Sequence, residues 1–124
     1  MQITSRLFVD AVVARPVGRI DHANAAAFEA ALAPLMADAN ARALVLDFSG
    51  VEYISSVGLR VLMITAKQMR ARETQLLVCA LKSVVMEIFA ISRFDRILTV
   101  TATLDDALAL CSPAARAAYR SAAT

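Results

Sequence analysis

Histidine occurs once, cysteine twice, glycine three times and tryptophan not at all in this chain of 124 residues. Each scarcity excludes something. A single imidazole, His22, cannot build a multi-histidine metal site, and no cysteine or carboxylate cluster has ligand spacing around it. It is also the one base available to a serine nucleophile. The serines of Ile54-Ser55-Ser56-Val57-Gly58 lack the glycine two positions upstream that a nucleophile elbow requires. The glycines, at 18, 50 and 58, are too dispersed for a phosphate-binding loop. Asp47 and Glu52 form a carboxylate pair only on paper. They bracket a turn with no further acid or base nearby, and read as solvated or turn-capping groups. The residues imply no enzyme, no metal and no cofactor.

Strong charge is missing too. The net charge is +2, and no Arg/Lys cluster interleaves with aromatics, which argues against a nucleic-acid partner. Arg60, Lys67, Arg70 and Arg72 make a basic helix face, of a kind that is usually solvated. Although 59% of the residues are hydrophobic, alanine supplies much of that share. No apolar run approaches the about 20 residues of a membrane span, and MQITSRLFV has no basic-then-apolar leader. Cys79, in an apolar run, and Cys111, near a helix end, read as buried free thiols. The expectation is a cytoplasmic protein without membrane insertion.

What is present is an alternation of apolar strands and helical periods. Leu7–Val13 reads as a first strand, and Arg15-Pro16 breaks it before Val17–Ile20, a short strand expected to pair with the first. Asp21 or Asn24 can cap a helix over Ala25–Ala39, with Pro34 inside it predicting either a kink or an early end. Gln75–Ala80 is a buried strand and Val84–Ile91 a helix. Ile97–Val100 is a last strand, and Leu104–Cys111 a last helix capped by Thr103. Residues 1–112 make one α/β domain, a small mixed sheet of about five strands with about four helices. Pro113 ends the last helix, and the Ala-rich tail 113–124 either extends a helix or frays.

The most informative segment runs from Leu44 to Met63. A buried strand (Leu44, Val45, Leu46, Phe48) is punctuated by Ser49-Gly50, and Val51–Ile54 carries the chain on. After two adjacent serines the period becomes helical, with Leu59, Leu62, Met63, Ala66 and Met69 on one face. Ser55 and Ser56 therefore stand where sheet hands over to helix, at free N–H groups and a positive dipole end. Serine there reads as a helix cap, as a phosphate acceptor, or as both.

Val51–Leu62, VEYISSVGLRVL, following LVLDFSG, resembles the phosphorylation-site segment of STAS domains, and the likeness extends over roughly Leu7–Leu110. It takes in GRID at Gly18–Asp21, the QLLVCA strand and FDRI at Phe94–Ile97. The resemblance implies a bacterial anti-sigma factor antagonist that works by partner switching. In that scheme the unmodified form binds an anti-sigma factor that is often also a serine kinase. Phosphorylation releases it, and a phosphatase restores binding. The family pattern, Asp-Ser-Ser/Thr-Gly-Leu, puts Ser55 in the Asp place, Ser56 in the acceptor place, and Val57 and Gly58 after it. Ser56 is thus the implied phosphorylation site, with Ser55 as the alternative. Asp21, Ser55, Ser56, Val57, Gly58 and Arg60 form the implied partner surface. Gly58 either lets a partner approach the turn or lets the helix pack closely. A second role open to such a domain is docking, unphosphorylated, on the ATPase of an ABC-type lipid transporter.

Overall fold

The computed structural model describes residues 1–123. Its elements are β1 (Ile3–Phe8), β2 (Ala11–Pro16), β3 (Gly18–Ile20), α1 (Ala25–Met36), β4 (Ala43–Asp47), β5 (Val51–Ile54) and α2 (Ser56–Ala71). There follow β6 (Gln75–Cys79), α3 (Ser83–Ile91), a 3-10 turn (Phe94–Arg96), β7 (Thr99–Thr101), α4 (Leu104–Cys111) and α5 (Pro113–Ala123). Five strands form one sheet in the order β1-β2-β4-β6-β7, while β3 and β5 form a two-stranded sheet of their own. Only β1 runs antiparallel to its neighbour. Every residue of β4 is buried, as suits a parallel strand covered on both faces.

Period-two alternation divides the core in two. Val12, Ala14, Leu44, Leu46, Leu76 and Val78 face Phe28 and Leu32 of α1, Leu59, Leu62 and Met69 of α2, and Val85 and Phe89 of α3. Ala11, Val13, Val45, Leu77 and Cys79 face Leu104 and Leu108 of α4 and Ala115 of α5. The apolar stripe expected on α2 is the one buried, with Met63 and Ala66 at its margin. Among the described residues no helix is long and apolar enough to cross a membrane.

Four element bounds or pairings differ from the spans read in the sequence, each for a local reason. Leu7–Val13 is not one strand but a hairpin, turning at Val9 (φ 57°) and Asp10 between the paired Phe8 and Ala11. Tertiary contacts hold that turn. The Asp10 carbonyl accepts from the Arg42 amide at 2.7 Å, and its carboxylate accepts the Ser112 hydroxyl. Second, the Val17–Ile20 strand pairs with β5 rather than with the first strand, because Gly18 (φ 98°) turns the chain and its amide bonds Gly50 O at 2.8 Å. Third, of the two outcomes expected from Pro34 the early end is the one found: α1 stops at Met36, short of Ala39, and Arg72 Nη1 donates to the Met36 carbonyl at 3.0 Å. Fourth, the last strand is displaced to Thr99–Thr101 because Phe94–Arg96 takes a 3-10 turn that buries Leu98.

The Ala-rich segment after residue 112 is a fifth helix. Pro113 opens it rather than closing its predecessor, since its missing N–H costs nothing in a first turn. Ser112 Oγ accepts from the Ala115 amide at 3.1 Å. Tyr119 meets Phe8 edge-to-face at 5.7 Å, and Arg116 and Arg120 both bind Asp105.

Candidate functional site

The two-stranded sheet exists to place one turn. Register pairs Ile20 with Ile54, so the residues that follow, Asp21 and Ser55, leave the sheet side by side. The Ser55 amide donates to the Ile20 carbonyl at 2.8 Å, which ties the start of α2 to the end of β3. Ser55 is extended (φ −86°, ψ 173°) and is the N-cap. Its Oγ accepts from the Gly58 amide at 3.4 Å, and its carbonyl accepts from the Leu59 amide at 2.9 Å.

The two serines therefore differ in setting. Ser55 is half-buried and caps, whereas Ser56, the first helical residue, is exposed. No hydrogen bond among the described residues engages the Ser56 hydroxyl. Val57 beside it is 44% exposed, and Arg60, one helical turn on, is also exposed. Gly58 points the other way. A Cβ there would lie 2.7 Å from Ile54 Cγ1 and 2.8 Å from Ile20 Cγ2, so the glycine serves close packing and lies beneath the surface rather than on it.

Asp21 is fixed by its own turn. Its Oδ1 accepts from the Ala23 amide at 3.0 Å, and its carbonyl accepts from the Ala25 amide at 2.9 Å. Neither Asp21 nor Asn24 caps α1 through its side chain. Asn24 instead accepts from the Asp21 amide and donates to the Arg19 carbonyl. His22 is exposed in the same turn.

Three neighbours of this turn escaped the sequence reading. The Arg19 guanidinium stacks over Tyr53, 4.4 Å from the ring centroid, as their register pairing dictates. Lys82 reaches Glu52 at 2.6 Å and ties the entry of α3 to β5. The signal for the first pair was the pairing of GRID with VEYI, which the sequence alone does not disclose. Asp47 caps its turn by accepting from the Ser49 amide at 3.0 Å, and is also paired with Arg15.

Nucleophiles elsewhere are subdued. Burial, then the Asp47 charge, pushes the Cys79 thiol up to about 12, and burial also raises that of Cys111. No group of three or more metal-ligating side chains occurs among the described residues.

Residues 2–107 match the family described as STAS domain. BtrV of Bordetella bronchiseptica, which carries an assignment as an anti-sigma factor antagonist, is 38% identical over 109 residues, covering 88% of this chain and 93% of BtrV. The crystal structure of an anti-sigma factor antagonist from Mycobacterium paratuberculosis superposes with a TM-score of 0.79 at 32% identity, covering 88% of this chain and 93% of that one. The Bacillus anti-sigma factor antagonist SpoIIAA shares the fold at 16% and 15% identity. Its unphosphorylated form superposes with a TM-score of 0.72, covering 86% of this chain and 93% of SpoIIAA. Its phosphorylated form gives 0.65, covering 86% and 96%. With the family model spanning most of its length, this chain belongs to the STAS domain family.

Proposed function

We propose that this STAS domain is a cytoplasmic anti-sigma factor antagonist that works by partner switching, with Ser56 as the phosphorylated residue. Unmodified, it binds an anti-sigma factor that is also a serine kinase; phosphate on Ser56 releases the complex and a phosphatase restores it. The contact surface is Asp21, Ser55, Ser56, Val57 and Arg60, with Gly58 packed beneath. The observation that carries this is the exposed, unengaged Ser56 hydroxyl standing next to a serine already occupied as cap. The names of the relatives more than 30% identical support the antagonist reading over a transporter-docking role.

Energetics favour a switch in binding rather than in fold. A phosphoserine carries about −1.5 to −2 charges, and at the first turn of a helix the dipole favours it by about 0.3–2 kcal/mol. Within an interface the same group must shed water or meet like charge, at a cost of several kcal/mol. A net penalty of about 3–4 kcal/mol weakens a complex several-hundredfold.

The test is incubation of the purified chain with each serine-kinase anti-sigma factor of its genome and MgATP, followed by peptide mass spectrometry. One phosphate on Ser56, absent from Ser56→Ala, is expected. Modification of Ser55 alone would overturn the residue assignment, and no modification by any such kinase would overturn the switch.

A further inference from the structure

The groove between α5 and the β1–β2 hairpin is lined by none of the residues assigned to that switch. Its chemistry follows from register. Thr4 pairs with Arg15, Arg6 with Val13 and Phe8 with Ala11, and alternation places all six on the sheet face that α5 covers. The helix closes only the Phe8 end, where Tyr119 seals against the ring. Beyond it a half-open cavity of about 310 Å³ remains, with Arg6 and Arg15 among its walls and Val13, Phe8 and Tyr119 as its apolar surfaces.

Both cations are held in place while keeping donors to spare. The Arg6 guanidinium lies 4.6 Å from the Phe8 centroid, and stacking of this kind leaves the N–H edges available to in-plane acceptors. Among the described residues no carboxylate is paired with Arg6. Arg15 commits Nε to Asp47 at 3.0 Å, which leaves its terminal nitrogens. Two guanidiniums against one carboxylate leave the groove with a positive charge. Diagonal cross-strand neighbours such as these stand about 7–8 Å apart, a span that one carboxylate or phosphate head bridges.

We propose that this groove binds a small organic anion. A carboxylate or phosphate monoester head would lie between Arg6 and Arg15, and an aromatic or apolar body against Phe8, Val13 and Tyr119. The cavity is at the small end of ligand sites, which limits the body to about one ring. One wall, α5, lies beyond residues 2–107, the part that the family model matches.

The test is an amide-resolved NMR titration of the full chain with phenyl phosphate and with benzoate, using benzamide and inorganic phosphate as controls. Saturable shifts confined to β1, β2 and α5, with a Kd of about 1 mM, are expected for at least one of the two aromatic anions. Which of them binds names the head group. Benzamide, lacking the charge, and the exposed-site variant Arg6→Gln should each bind about tenfold more weakly. The proposal is overturned by an absence of saturation up to about 20 mM, by equal affinity in Arg6→Gln, or by shifts that inorganic phosphate reproduces on the Arg60–Lys67 face, since those would mark adventitious charge pairing.

Discussion

Gly58→Ala isolates the packing that presents Ser56. The new methyl would stand 2.7 Å from Ile54 Cγ1 and 2.8 Å from Ile20 Cγ2. Both isoleucines are fully buried, and neither atom is the free end of a flexible side chain. The Ser55 amide bond to the Ile20 carbonyl resists retreat of the helix from β3. Forcing a methylene-sized group into such a core costs about 1–3 kcal/mol, and this doubly blocked site belongs in the upper half of that range. Replacing glycine by alanine inside a helix returns about 1 kcal/mol. The balance is a loss of about 1–2 kcal/mol, or about 4–8 °C in Tm for a domain of this size. Calorimetry with urea denaturation measures it, and unchanged m-values would show that the denatured state is not responsible. A variant melting at or above wild type would refute the reasoning, because helix propensity alone would then have decided the outcome.

Other expectations follow from single contacts. Arg120 and Arg116 hold the Asp105 carboxyl below its ordinary range, so the attachment of α5 to α4 is fully present above the unfolded carboxylate's pKa and is lost as pH falls through the lowered one. Protection factors of the α5 amides, with the intrinsic pH dependence of exchange divided out, should fall at low pH in wild type and be low and unchanged over the same range in Asp105→Asn; protection in Asp105→Asn that falls with pH as in wild type would contradict this. Cys79, with its thiol pushed up to about 12, should resist thiol reagents at pH 8 until the chain unfolds, while half-buried Cys111 reacts first. Mass mapping of the first labelled peptide decides it. Thr103→Ala removes the hydroxyl that accepts from the Asp106 amide at 3.0 Å and should cost about 1 kcal/mol by denaturant titration.

The sheet and its helices were legible because their signals are local. VLDF carries its own strand pattern, and Leu59, Leu62 and Met69 carry their own helical period. What the sequence hid depends on contacts between distant segments. Val9 and Asp10 contain no glycine to announce a turn, and Asp10 is held by Ser112 from across the fold. Whether β3 joins the first strand or β5 is decided by the backbone bond from Gly18 to Gly50 and by the packing of Ile20 on Ile54 and Gly58, none of which has a composition signature. Within the candidate site, the adjacency of the serines was plain, but the assignment of the cap to Ser55 and of exposure to Ser56 needed the backbone angles of the turn. Gly58 offered two roles, and only the neighbouring isoleucine atoms select packing.

The central claim is that charge on one exposed hydroxyl abolishes a protein contact while leaving the fold intact. Isothermal titration tests it directly, with the anti-sigma factor captured by the unmodified chain titrated against that chain and against the same chain carrying phosphoserine at position 56. A several-hundredfold rise in Kd is expected, from a penalty of about 3–4 kcal/mol, with Tm unchanged or slightly raised. Affinities within about threefold of each other, a difference of less than 1 kcal/mol, would contradict it.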